Sequence, residues 1–339
     1  MLKFILWVLG LLALMVLVYF AGPRPTTPEI SMALPSVTSE PEQLEADIAQ
    51  SEAKIEGLKP DNEARIIWAD SSKKVKTAYS VVYIHGFGAS WAEGEPVHRN
   101  LAARYGANLY LARLHDAGIA DSNAFDDLTP GNFVAGANRA LAIGKQLGDS
   151  VIVIGTSAGG LLTVLLASEH PELKGVVLYS PCMAVANPAL QLTTGPWGKQ
   201  ILQGIIGERT PGSDTDPLRA QYWLQGYHTN GLLALQQTID LVARPEVYKR
   251  IQVPVFLGYY YKNEKEQDPV VSVAAMQEMF PLLGTPQAKK REVAFPNSAD
   301  HVIASYIRSK DVKGVFEETD RFFQEILGLK PVEKPTAQP

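Results

Sequence analysis

At 339 residues, 46% of them hydrophobic and 20% charged, the chain has the length of one or two domains and an ordinary globular composition, which excludes disordered and collagen-like classes. A net charge of -5 with no long Lys/Arg block offers no field for a polyphosphate, so nucleic acid is not an expected partner. The single cysteine, Cys182, excludes an intrachain disulfide and a four-cysteine zinc site.

The first predicted element is an apolar helix over residues 4–22, Phe4 to Gly22, bounded by Lys3 and by Gly22-Pro23-Arg24-Pro25. At about 1.5 Å per residue it is ~28 Å long, close to the ~30 Å hydrocarbon core of a bilayer. A cleaved signal peptide is the competing reading, but its apolar region is usually ~7–15 residues and ends in a small-x-small site. Here the exit pairs Tyr19 with Ala21 and Phe20 with Gly22, so an uncleaved single-pass membrane anchor in the lipid bilayer is expected. Lys3 and the amino terminus, set against Arg24 and an acidic stretch downstream, direct the body out of the cytoplasm by the positive-inside rule.

Residues 23–60 read as a spacer, with a thin apolar stripe of Leu44, Ile48 and Ile55 marking a spacer or docking helix within Pro41 to Gly57. The body is expected over 61–329 and a disordered, proline-rich tail over 330–339. Predicted strands are Arg65–Ala69, Ser80–Ile84, Ala107–Leu111, Val151–Gly155, Gly175–Tyr179, Val253–Tyr260 and Lys290–Phe295. Predicted helices include Asn132–Leu147, Ala158–Glu169, Val271–Phe280 and Val312–Leu327. This alternation predicts an α/β fold with a mostly parallel sheet covered on both faces. From about residue 183 to 250 the rhythm stops, marking an insertion expected to be helical. No glycine-rich dinucleotide or nucleotide loop follows any strand, and no metal or organic cofactor is expected.

One strand runs into Gly155-Thr156-Ser157-Ala158-Gly159 and then an apolar helix. A Gly-x-Ser-x-Gly match arises by chance in a chain of this length with probability on the order of 0.1. Its placement between strand and helix makes it specific, because a sharp turn there lifts a serine hydroxyl above the sheet edge, beside the free N–H groups of the helix N-terminus. Glycine is needed on both sides, where Cβ atoms would clash.

Here the chain resembles the α/β-hydrolase superfamily over roughly Arg65 to Leu329. The resemblance extends to Tyr83-Ile84-His85-Gly86-Phe87-Gly88, where the family places a second oxyanion donor. It implies a nucleophile at Ser157, an oxyanion hole from the backbone N–H groups of Phe87 and Ala158, and a structural role for His85. The superfamily's order of Ser, acid, His removes His85, His98 and His115; His170 lies at the end of the helix after the nucleophile and points away, and His228 falls inside the insertion, which leaves His301, just past the last strand, as the base. The acid is expected at Asp268, ahead of Val270-Val271, with Glu264 and Glu266 as competing choices. Asp300 adjoins His301 too closely to orient it.

In the insertion, Trp197, Ile201, Leu202 and Ile205 share one helical face and Leu232, Leu235, Ile239 and Val242 another. They predict a cap with an apolar underside suited to an acyl chain, or faces that pack on each other and on the core. Monoglyceride-lipase-like and serine-aminopeptidase-like members share this cap placement. Where close relatives carry a Gly-His-Gly turn, this chain has Arg113-Leu114-His115-Asp116-Ala117-Gly118. The implied activity is hydrolysis of a small-molecule carboxylic ester. The alternatives are an amidase or peptidase, with Asp214 or Asp216 gripping an amine, and a catalytically silent binding protein.

Overall fold

The computed structural model describes residues 1–26, 28–212 and 214–332. Its centre is a seven-stranded sheet, in the order β1-β3-β2-β4-β5-β6-β9. The strands are β1 (Arg65–Ile67), β2 (Thr77–Ile84), β3 (Asn108–Leu111), β4 (Gly148–Thr156), β5 (Gly175–Tyr179), β6 (Val255–Tyr259) and β9 (Lys290–Ala294). Only β1 runs antiparallel, against β3. Strands β2 and β4 become wholly buried toward their carboxyl ends and β5 and β6 are buried throughout, as expected of strands with helices on both faces.

Two cores flank this sheet. Helices α4 (Pro130–Leu147), α5 (Ala158–Glu169) and α10 (Val273–Leu282) pack on one face, and α11 (Val312–Glu325) with α3 (Val97–Arg104) on the other. Helix α4 begins two residues before its expected start, because Pro130 occupies the first turn, where a missing N–H costs nothing. Thr129 caps it: its Oγ1 accepts the Asn132 N–H at 3.2 Å, while Asn132 Oδ1 accepts the Thr129 N–H at 2.8 Å. Helix α3 has no sequence forecast. It is only two turns long, too short for its apolar stripe of Val97, Leu101 and Ala102 to stand out from the pattern.

The expected insertion contains α6 (Gly198–Ile206), α7 (Pro217–Tyr222), α8 (Asn230–Val242) and α9 (Pro245–Arg250). The two predicted apolar faces have different fates. Leu235, Ile239 and Val242 of α8 join the core and pack toward α5 and α4. On α6, Leu202 is buried, but Ile205 is 79% exposed and Ile206 is also exposed, so this helix turns part of its apolar surface outward.

Helix α1 (Leu2–Phe20) has 19 residues, a mean hydropathy of 2.4 and no buried residue. Its length and composition fit both a membrane anchor and a signal sequence. Its exit is tied to the insertion: Trp197 donates its backbone N–H to Pro23 O at 2.8 Å and its indole N–H to Val18 O at 3.0 Å. Helix α2 (Pro41–Glu52), in the stretch read as a spacer, docks on the body through buried Leu44 and Ile48, and its Glu52 pairs with Arg113 at 2.5 Å. Of the expected tail, residues 333–339 lie outside the described residues. At its start the Val332 N–H donates to Arg104 O at 2.9 Å.

Candidate active site

The carboxyl ends of the parallel strands carry the site, where open α/β sheets bind their ligands. Strand β4 ends at Thr156 and α5 begins at Ala158, leaving Ser157 alone to make the turn, with φ 54° and ψ -119°. This backbone is sparsely populated for a residue with a side chain and holds roughly 1–3 kcal/mol of strain. Close packing enforces it. A Cβ at Gly155 would lie 2.4 Å from Gly159 O, and one at Gly159 would lie 2.0 Å from Ile84 O. The turn is pinned by the Ser157 N–H to Tyr179 O and by the Cys182 N–H to Ser157 O, both at 2.9 Å.

Beyond β2, His85 braces the neighbouring loop from inside. Its Nε2 accepts the Leu114 N–H at 3.0 Å and its Nδ1 lies 2.8 Å from Gly86 O, which sets the proton on Nδ1. Burial pushes His85 down to about 4, so it stays neutral as this bonding requires. The N–H groups of Phe87 and Ala158 donate to no other group among the described residues.

Past β6 the chain forms a small hairpin, β7 (Tyr261–Asn263) with β8 (Glu266–Gln267), where the sequence suggested only a charged loop. The hairpin delivers Asp268 into a buried position. Its Oδ1 accepts the N–H groups of Val270 at 2.8 Å and Val271 at 3.0 Å, and its Oδ2 meets His301 Nδ1 at 2.6 Å. His301 follows β9, and its backbone carbonyl accepts the Ser180 hydroxyl at 2.8 Å. Burial opposes a charged ring here, yet the charge and hydrogen bond of Asp268, with Glu93 and Asp300 nearby, outweigh it and raise His301 above its ordinary value. The competing carboxylates are exposed and engaged elsewhere: Glu264 accepts from the Tyr261 hydroxyl, and Glu266 pairs with Lys262. Asp300 caps Val302 and pairs with Arg308 at 3.1 Å.

The profile of the alpha/beta hydrolase family matches residues 81–310, more than half the chain and every element that carries these side chains. The chain belongs to the alpha/beta hydrolase family. Solved structures agree on the fold. A metagenome-derived lipolytic enzyme superposes with a TM-score of 0.60 at 20% identity, covering 79% of this chain and 99% of that one. The monoacylglycerol lipase of Paleococcus ferrophilus gives 0.56 at 14% identity, covering 78% and 98%. A soluble variant of monoglyceride lipase from Saccharomyces cerevisiae, in complex with a substrate analogue, gives 0.52 at 15%, covering 77% and 90%. No curated protein matches the sequence.

In this hydrolase Phe87, in the loop after β2, packs with Phe125 and Tyr227, ring centroids 4.5 and 5.3 Å away, and Leu224 donates its N–H to Gly88 O at 2.7 Å. The insertion thus touches the loop beside Ser157 with mostly apolar groups. A separate apolar cavity of about 320 Å³ lies within the insertion, walled by Leu190, Leu202, Ile205 and Leu232, and does not reach Ser157 or His301. Asp214 is paired with Arg219 at 3.1 Å, and Asp216 caps α7. His115, Asp116 and Asp127 lie close enough to share an ion, but each already has a partner: His115 bonds Asp127 at 2.7 Å, and Asp116 accepts the Phe125 N–H at 2.8 Å.

Sequence reasoning missed Glu93. It sits in a 3-10 turn, Trp91–Gly94, and is only 2% exposed. The available signal was an acidic residue within the small, apolar run that follows His85-Gly86.

Proposed function

We propose that this protein is a membrane-anchored serine hydrolase that cleaves carboxylic esters. The observation that carries the reading is the buried 2.6 Å contact of His301 Nδ1 with Asp268, because a proton held on Nδ1 leaves Nε2 free to act as a base. Ser157 Oγ attacks the ester carbonyl as His301 Nε2 takes its proton. The carbonyl oxygen becomes an oxyanion and accepts hydrogen bonds from Phe87 and Ala158. When the intermediate collapses, His301 returns the proton to the departing alcohol, leaving an acyl group on Ser157. Water, deprotonated by His301, then adds to the acyl carbon, the acid leaves, and the proton returns to Ser157. The aromatic wall of Phe87, Phe125 and Tyr227 favours an apolar group on the substrate. The occupied state of Asp214 and Asp216 favours an ester over a peptide held by its amine.

A fluorophosphonate probe is expected to label the wild-type chain and to leave Ser157→Ala unlabelled, since labelling requires an activated serine. Equal labelling of both would sink the reading. Activity should rise with pH as His301 loses its proton, because only the neutral ring accepts one, and the midpoint should lie above that of a free imidazole. A rate versus pH curve on a short ester checks both the direction and the midpoint.

For the anchor, we expect the full chain to remain in the membrane fraction through a carbonate wash, since apolar transfer and not screened charge would hold α1. A chain beginning at Pro25 should be soluble and turn over a short ester at the wild-type rate, because α1 buries nothing in the body. Mature protein starting near Gly22 in a soluble extracytoplasmic fraction would instead identify a cleaved signal.

A further inference from the structure

Glu93 is a carboxyl group with no ion-pair partner among the described residues, placed behind the loop that carries Phe87. Its Oε2 accepts the Gly86 N–H at 2.5 Å and lies 3.5 Å from the Tyr83 hydroxyl, which in turn is 3.0 Å from Thr156 Oγ1. One carboxylate oxygen is thereby linked both to the oxyanion loop and, through Tyr83, to the residue before Ser157. A Cβ added to Gly86 would stand 2.8 Å from Glu93 Oε1 and 2.9 Å from Ser157 Cβ, so carboxyl and serine are separated only by a bare glycine.

The turn that carries Glu93 is also fastened to the segment behind His301. Ser305 Oγ donates to Ala92 O at 2.7 Å, and the Tyr306 N–H donates to Glu95 O at 2.9 Å. A buried carboxyl is costly to keep and is a poor choice for bracing a loop that a neutral side chain could hold. Its position among the oxyanion loop, the serine turn and the histidine loop gives that cost a use.

We propose that Glu93 is a positioning residue of the active site, holding the oxyanion loop through the Gly86 N–H and setting a charge beside the loop that carries His301. The proposal rests on the Ser157–His301 reading above. The ionisable and charged groups that face Glu93 are Tyr83 from β2 and His301 and Arg308 from the loop after β9. Arg308 is itself paired with Asp300, so it does not neutralise Glu93 directly. Burial lifts the Glu93 carboxyl to about 7, against the lowering influence of the Gly86 N–H and of His301. When ionised it favours the imidazolium that forms during attack, and by the same coupling it raises the pH at which His301 becomes a free base.

Two variants of the full chain separate the two roles. Glu93→Gln keeps an oxygen for the Gly86 N–H and removes the charge. Glu93→Leu removes both. On a 4-nitrophenyl ester of a short acid, Glu93→Leu should lose about 10- to 100-fold in kcat with KM little changed, as a displaced oxyanion donor does. Glu93→Gln should keep most of kcat on its high-pH plateau and move the acid limb of the profile to lower pH by about half a unit. Full kcat in Glu93→Leu, or an unmoved acid limb in Glu93→Gln, overturns the proposal. So does a loss carried by KM alone, which would make Glu93 a substrate contact. Should Glu93→Leu fail to fold, the profile of Glu93→Gln decides alone. Ser157→Ala, run in parallel, separates the two failures: activity surviving there rejects the nucleophile assignment, whereas a dead Ser157→Ala beside an unaffected Glu93 series rejects only Glu93.

Discussion

Replacing Ser157 with alanine is expected to lower turnover on a short, water-soluble ester by about 10⁶-fold, the scale on which losing the nucleophile of a serine triad is felt. The fold should survive. The side chain loses one oxygen, and the hydrogen bonds that pin the turn run through the Ser157 backbone. A comparison with Ser157→Gly makes the structural argument testable separately from the chemistry. At φ 54° and ψ -119° any Cβ is strained, so alanine inherits the cost that serine bears and glycine sheds it. Both variants should be inactive, and the glycine variant should unfold at the higher temperature. Hydrolysis above roughly a hundredth of wild type in Ser157→Ala would place the nucleophile elsewhere, because no other group at this turn could sustain it.

The central sheet was legible because its strands are short, apolar and separated by strong helical periods. Gly175–Tyr179 and Ala158–Glu169 have the limits expected of them. Boundaries moved where turn chemistry intervened, as at Pro130, or where ladder hydrogen bonds carry a strand past its apolar run, as β4 begins at Gly148 opposite Thr77. The hairpin after β6 was illegible for a different reason. Tyr261-Lys262-Asn263-Glu264-Lys265-Glu266-Gln267 is polar on both faces and depends on side-chain bonds such as Asn263 Oδ1 with the Lys265 N–H at 2.9 Å, which no hydrophobic period announces.

Ser157 could be picked out from a sharp strand-to-helix turn, and Asp268 and His301 from loops after strands once the family resemblance supplied the order Ser, acid, His. Nothing in a linear pattern states that Asp268 will spend one oxygen on two backbone N–H groups and the other on an imidazole. Glu93 left still less trace. Its meaning comes from Gly86 and Ser157 meeting across space, 71 positions apart in the chain, and from burial that sequence composition does not report. The apolar faces of the insertion illustrate the same limit. Periodicity recognises that α6 and α8 are amphipathic, but only packing decides that Val242 enters the core while Ile205 faces outward.

The second large effect is expected at Asp268, where asparagine should cost about 10³–10⁴ in turnover. The two backbone N–H groups of Val270 and Val271 fix which end of the new amide faces them, because only its oxygen can accept both. The NH₂ end is then turned to His301 Nδ1, where it donates. The ring must accept there and carry its proton on Nε2, so it can no longer take the proton of Ser157. The residual activity should also show its acid limb at lower pH than wild type, since the carboxylate that raises His301 is gone. Glu264→Gln and Glu266→Gln should stay within about twofold, as the exposed hydrogen bond of Glu264 with Tyr261 and the exposed ion pair of Glu266 with Lys262 contribute little. The side-chain packing around Asp268 is preserved in the asparagine variant, so its thermal unfolding should change far less than its rate. If turnover collapses in either glutamine variant and not in Asp268→Asn, the hairpin and not the buried carboxylate orients the base.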